Sequence, residues 1–444
     1  MNNNGCLREF AKYVSLNVLG TLALSCYIFA DTLFVSIGVG SDGLTALNLA
    51  IPIFNLIIGC GLMIGMGGAT KFAIQKSQND SEKANKTFTH CIYIYIVLSA
   101  VFVLAALLFS NQIVSLLGAD EKVFDMTHTY LQVLMLFTPA FLLNYILQCF
   151  VRNDGAPHLA MAGMITGSLS NVFLDWLFIF PLNMGIFGAV FATGLAPIIS
   201  LCIISTHFIR RKNSFHLVKC KPEIRKAGSI LSTGVPSLIS ELSSGVVIMI
   251  FNFIILNLQG NVGVAAYSVV ANLYLIILSI FNGIAQGIQP LVSKNYGLGN
   301  IKNISLITRY AYTSMFAAAI IIYIGMFIFA DPVTSAFNSE NDPLLQQMAV
   351  TGMNIYFLAA PFAGFNVITA VYFTSSERAK PAQIITMLRG FIVIIPTSFL
   401  LAYLGKLTGV WFSFPVSEFI VAIVACILYF VYKKKFENNF YKQT

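Results

Sequence analysis

Four acidic residues, Asp31, Asp175, Glu241 and Glu418, lie inside stretches that are otherwise almost wholly apolar. A charge at the middle of a bilayer costs about 2.5–3.5 kcal/mol on insertion scales, so acids in such places face protein or water and have a role. Asn171 and Asp175 are four apart, about 40° around a helix, and Ser168 extends the same stripe one turn back. Thr193 adds a hydroxyl on the next apolar run, and Tyr27 lies one turn before Asp31. If these three segments pack together, two carboxylates, an amide and a hydroxyl meet in one pocket. Two carboxylates in a poorly solvated pocket cannot both ionise easily, so such a pair can bind and release a proton. The same oxygens, of Asp31, Asn171, Asp175 and Thr193, could instead hold Na+, a hard cation that prefers oxygen ligands. A structural role is the competing expectation, especially for Glu241 and Glu418. Arg389, about two turns into its own apolar run, could pair with an acid of the second half.

The elements that must position these groups are membrane helices. The chain has 444 residues, 57% hydrophobic and 10% charged, against about 25% charged in an ordinary soluble domain. Ile92 to Phe109 carries no charge, which is long enough for a helix to cross a hydrocarbon core of about 30 Å. Twelve such runs are expected, near 13–37, 44–68, 88–109, 128–150, 160–180, 186–208, 228–256, 263–288, 307–330, 352–375, 383–404 and 409–432. The first run lacks the cleavage site of a signal peptide and reads as an uncleaved span.

The formal net charge of +8 comes from residues that alternate by loop. All but Lys122 and Lys406 of the 26 basic residues fall at the N-terminus, in the even-numbered loops or in the tail. By the positive-inside rule both termini are then cytoplasmic and the span count is even. The excess of basic residues is topology rather than a nucleic-acid surface. The eight cysteines form no CxxC pair, the five histidines form no H-E-x-x-H, and no GxxxxGK[ST] is present, so a redox, metal-hydrolase or ATP-driven chemistry has no motif to rest on. No enzyme, cofactor or obligate protein partner is expected.

The longest basic connection, residues 210–227, separates an expected N-terminal lobe (1–209) from a C-terminal lobe (228–432), followed by a tail (433–444). A weak repeat relates the halves: Gly43 aligns with Gly263, Pro139 with Pro361, Pro157 with Pro381 and Gly185 with Gly409. The fold class is therefore all-α integral membrane, with twelve transmembrane helices in two pseudo-symmetric six-helix bundles. A parallel repeat of this kind suits a transporter that rocks one half against the other.

ADTLFVSIG at 30–38, NVFLDWLFIF and GIFGAVFATG within 171–194, GVPSLISE at 234–241, GIAQGIQPLVSKNYGLGN at 283–300 and GVWFSFPVSE at 409–418 occur in this order. Together they resemble the multidrug and toxic compound extrusion (MATE) transporters. The resemblance implies two six-helix lobes, and efflux of cationic amphipathic compounds driven by H+ or Na+ across a bacterial plasma membrane. It implies a coupling-ion site at Asp31, Asn171, Asp175 and Thr193, the group that the spacing also selects. Glu241 falls where many members carry an acid of helix seven that contributes to cation or drug binding, and Tyr27 and Glu418 are further candidates for substrate or cation contact. Some Na+-coupled members have an aspartate in helix ten, whereas residues 352–375 contain no acid. The rival readings are a lipid-linked sugar flippase of the same superfamily, which a basic cavity would favour, and, from another class, an ion channel or receptor.

Overall fold

The computed structural model describes residues 3–338 and 342–441, which are almost entirely helical, with no β-strand among the described residues. The chain begins with α1 (Asn3–Gly38), α2 (Ser41–Ser77) and α3 (Ser81–Leu116). Next come α4, bent by 47° between Phe124–Leu136 and Thr138–Asn153, then α5 (Pro157–Ile179) and α6 (Gly185–Ile209). Asp80 caps α3 by accepting from the Lys83 amide at 3.1 Å, which satisfies one of the free N–H groups of the first turn. Pro139, just after the bend in α4, cannot donate to the preceding turn, which is the cause of the break.

Two continuous helical stretches each hold two spans. Residues 224–297 form 74 residues of helix interrupted at Gly260, whose φ of 64° is left-handed. Phe251 and Tyr267 stack with ring centroids 5.3 Å apart, although a straight helix would separate them by about 24 Å. The chain therefore turns back, giving α7 (224–259) and α8 (261–297). Lys406, at φ 49°, marks a second reversal. A Cβ on Gly409 would overlap the Leu401 carbonyl, so the segments on either side lie together. This gives α11 (379–405) and α12 (407–441), which follow α9 (Ile301–Phe337) and α10 (Pro343–Ser375). Asp342 caps α10 by accepting from the Leu344 amide at 2.8 Å. Nine stretches are apolar and long enough to cross a membrane, two of them are paired spans, and bent α4 completes the expected twelve among the described residues.

Packing divides the chain into one unit from Ser15 to Leu242 and another from Ser243 onward, which also takes in the first turns of α1 up to Val14. The division falls within α7 rather than in the 210–227 connection. Phe10 shows why the start of α1 belongs to the second unit: its ring lies 5.6 Å from that of Tyr310. The expected tail continues α12 as helix, and residues 442–444 lie outside the described residues.

Residues with left-handed backbone repeat through the chain: Gly40 with Gly260, Asn79 with Gly299, Gly155 with Glu377, and Asn183 with Lys406. Their offsets are 220, 220, 222 and 223 residues, matching the glycine and proline repeat. The same turns recur between corresponding spans, which is the structural content of two related bundles. Pro361 likewise sits just beyond a break in α10, a short 3-10 turn at Phe357–Ala359, as Pro139 does in α4.

The connection after α6 is anchored on the first unit. Phe215 is fully buried, its ring 4.7 Å from Phe88 and 5.4 Å from Phe150. Asp154 accepts from Lys76 Nζ at 2.6 Å, pairs with His207 Nε2 at 2.8 Å, and accepts from the Ser214 amide at 2.9 Å. α7 then begins at Ile224, inside the stretch expected to be connection.

Candidate carboxylate site in the first unit

α5 and α6 approach closely because glycines face the contact. A Cβ on Gly163 would come within 2.9 Å of Ile204, and one on Gly167 within 3.2 Å of the Ala196 carbonyl. These glycines are four apart, the spacing that lets membrane helices pack backbone to backbone. The same face of α5 continues outward through Ser168, Asn171 and Asp175, which brings these polar groups against Thr193 of α6.

Asp31, Asn171, Asp175 and Thr193 are all buried, with exposures of 7%, 0%, 0% and 3%. A hydrogen bond joins the Asp31 and Asp175 side chains. An ionised carboxylate only accepts, so a direct bond between two carboxyl groups contains a proton. With its amide turned to satisfy its neighbours, Asn171 donates to Asp175 Oδ2 at 3.0 Å and accepts from the Thr193 amide at 3.3 Å. The Thr193 hydroxyl donates back to the Ala189 carbonyl at 3.1 Å. Asp31 Oδ1, Asp175 Oδ1 and Ser168 Oγ remain buried without a partner among the described residues, leaving acceptor capacity within the group.

Tyr27 is buried and faces the same pair. Tyr130, which the sequence gave no reason to select, joins it: its hydroxyl bonds with Thr193. A cavity of about 450 Å³ adjoins the group, lined by Tyr27, Ser168, Thr193 and, further along, Asn144, Gln148 and Ser200. Gln148 donates to Asn144 Oδ1 at 3.2 Å and to Ser200 Oγ at 3.5 Å, which sets a polar cluster into a wall otherwise lined by residues such as Leu24, Phe141 and Met164. None of these three was selected in advance, because uncharged amides and hydroxyls in an apolar run stand out less than a buried acid does.

The two other acids are not hydrogen-bonded to this group, although Tyr145 of the same cavity wall faces Glu241. Glu241, on α7, packs beside Gly59 of α2 and makes no hydrogen bond or ion pair among the described residues. Glu418 lies in the second unit, where Arg389 Nε donates to its Oε1 at 2.6 Å and Asn366 Nδ2 to its Oε2 at 2.7 Å. Arg389 thus pairs with an acid of its own half.

Comparison with known proteins agrees with this architecture. The MatE family profile matches residues 18–177 and 236–400. The multidrug export protein MepA of Staphylococcus aureus (strain MRSA252) is 24% identical over 420 residues, covering 94% of this chain and 92% of that protein. MepA of Staphylococcus saprophyticus is 25% identical over 422 residues, with the same coverage. Among solved structures, a MATE protein in complex with MaL6 superposes with a TM-score of 0.92 at 22% identity over 97% of both chains. An outward-facing multidrug resistance MATE family transporter of the MOP superfamily gives 0.92 at 21% identity over 99% of both. At these identities the structures speak for the fold. The profile, spanning most of both halves, speaks for kinship: this chain belongs to the MatE family, the multidrug and toxic compound extrusion transporters.

Proposed function

We propose that the protein is a secondary active exporter that moves cationic amphipathic compounds out of the cell in exchange for H+ or Na+, with Asp31 and Asp175 as the coupling pair. The observation that carries this reading is the hydrogen bond between two buried carboxyl groups, each with one oxygen left unsatisfied. The staphylococcal relatives are named multidrug export proteins, which supports export of drugs; their cationic character follows from the acids facing the cavity.

The pair holds one proton between its members, and a gain or loss of charge there changes how well α1, α5 and α6 pack. With its amide assigned by its neighbours, Asn171 offers its nitrogen to Asp175. For Na+ to be the coupling ion, this amide would rotate to offer its oxygen beside the two free carboxylate oxygens. Coupling then requires only that ion and drug prefer opposite conformations of the carrier. Tyr27 and the adjoining cavity place an aromatic surface beside the pair, where a flat cation has a carboxylate within reach. Glu241 would supply a second acid to such a cation. The charge distribution supports cytoplasmic termini and insertion in the bacterial cell membrane.

The decisive experiment is efflux of a fluorescent cationic dye from proteoliposomes under a Na+ gradient and a pH gradient imposed separately, for the wild type and Asp175→Asn. Efflux driven by one gradient and lost in the variant is the expected result, and it names the ion. Dye movement indifferent to both gradients would sink the antiport reading.

A further inference from the structure

We propose that the second unit contains its own binding site for an aromatic ligand bearing a carboxylate, held by the free edge of the Arg389 guanidinium. The site is distinct from the carboxylate pair and opposite in the charge it selects. A cavity opens there, with about 520 Å³ of empty space counted out to its open mouth. Its walls include Tyr267, Tyr274, Tyr356 and Phe414, with Arg389 and Glu418 at one side. The rings brace one another: Tyr356 and Phe414 are parallel at 4.5 Å, and Tyr274 stands edge-on to both at 5.5 and 4.9 Å. Such a box presents flat apolar faces for a ring to stack on, together with tyrosine hydroxyls as polar handles.

Arg389 lies ten residues, about 15 Å, into the apolar helix α11. It lies in a π turn, Leu388–Ile392, a local widening that recurs at functional sites. The next residue, Gly390, is pressed on Ser243 so closely that a Cβ would overlap that side chain, which fixes the position of the turn.

The contact between Arg389 and Glu418 is one-sided. A guanidinium usually meets a carboxylate through two parallel N–H groups. Here only Nε reaches Glu418, NH2 approaches the Tyr274 hydroxyl at 3.4 Å, and NH1 has no acceptor among the described residues. The side chain keeps 18% of its exposure, and Arg389 forms part of the cavity wall. Glu418, by contrast, is 2% exposed and has both oxygens engaged, by Arg389 and by Asn366.

Glu418 is therefore a positioning residue. It compensates the guanidinium at a depth where a lone charge would be costly, and it turns the NH1–NH2 edge away from itself. An organic cation entering this cavity would have to pull Glu418 from Arg389 and leave that arginine uncompensated. A carboxylate needs no such exchange: one oxygen takes the open NH1, the other shares NH2 with the long 3.4 Å contact to Tyr274, and its ring occupies the box.

The test uses the full-length protein in lipid nanodiscs and the reporter that the structure provides. The chain has two tryptophans, and the Trp411 ring lies 6.1 Å from Tyr267 on the cavity wall. In a Trp176→Phe background, naphthoate should change Trp411 emission saturably, and the cation naphthylmethylammonium should bind at least about tenfold more weakly. Arg389→Lys keeps the charge beside Glu418 but lacks the planar fork, and it should raise the Kd for naphthoate about tenfold or more. Ala271→Phe, which fills the cavity without touching the ion pair, should do the same. The proposal is overturned if naphthoate gives no saturable response, if either variant binds it like the parent, or if the cation binds as well as the anion.

Discussion

Asp31 and Asp175 are hydrogen-bonded to each other, yet each keeps its Oδ1 buried without a partner. The pair is thus held together and left incomplete at the same time, in keeping with the coupling role proposed for it. Replacing either residue by Asn preserves shape and supplies an N–H, so the contact no longer needs a shared proton. Asp31→Asn and Asp175→Asn should therefore melt within about 5 °C of the wild type. Gradient-driven dye efflux should fall at least about tenfold in each. Unfolding of both variants in a thermal scan would show the pair to be a structural element instead.

Asn171 donates to Asp175 and accepts from the Thr193 backbone. Hydrogen bonds to carboxylates contribute about 1.5–3 kcal/mol, so Asn171→Ala should slow coupled efflux about tenfold or more while dye binding in the absence of a gradient stays near wild type. Equal losses in binding and in coupling would contradict this division of roles.

Close backbone contact between α2 and α7 depends on two glycines. A Cβ on Gly234 would overlap the Met63 carbonyl, and one on Gly67 the Ile230 carbonyl. Backbone cannot move aside as a flexible side chain can, so Gly234→Ala should destabilise the first unit by about 1–3 kcal/mol or more. The readout is the melting temperature in detergent, and an unchanged value would mean that α7 shifts freely against α2.

Asp154 ties the 210–223 connection to α2, α4 and α6. Burial acts to raise its carboxyl, but hydrogen bonds from Lys76, Ser214 and His207 outweigh it and hold the group below the ordinary carboxylate range. A depressed acid contributes stability that is present above its unfolded pKa of about 3.9 and is lost as pH falls through the lower folded value. Limited proteolysis of residues 213–223 should accordingly be slow from pH 8 to about pH 5 and accelerate only below about pH 4. Asp154→Asn should show the fast pattern already at neutral pH.

Much of this was legible in the sequence, for reasons that differ by residue. Asp175 announces itself because nothing else charged surrounds it, and Asn171 because four residues bring it to the same face of α5. The loop charges point to an even span count because lysines and arginines gather in alternate loops. Tyr130 was invisible, since an aromatic residue in an apolar run gives no hint that its hydroxyl ends beside Thr193. The spacing allowed Arg389 to meet some acid of its half, but not that it would reach Glu418 through Nε alone, because that depends on the π turn at Leu388–Ile392. The division of packing inside α7 was equally hidden, since residues 1–14 join the second unit through contacts such as Phe10 on Tyr310.

The left-handed turns spaced by 220–223 residues carry a historical consequence. A chain that repeats its corners so regularly reads as a duplicated ancestor of six spans, whose copies then drifted apart between corners that could not change. Carrying Asp31 forward by 220 residues reaches Phe251, and carrying Asp175 forward by 224 reaches Phe399. One daughter half kept or gained its acids where the other has aromatic rings, and the latter half took on Arg389 and Glu418 instead. The molecule is in effect a heterodimer within a single polypeptide, with its two partners free to specialise because neither had to serve both roles.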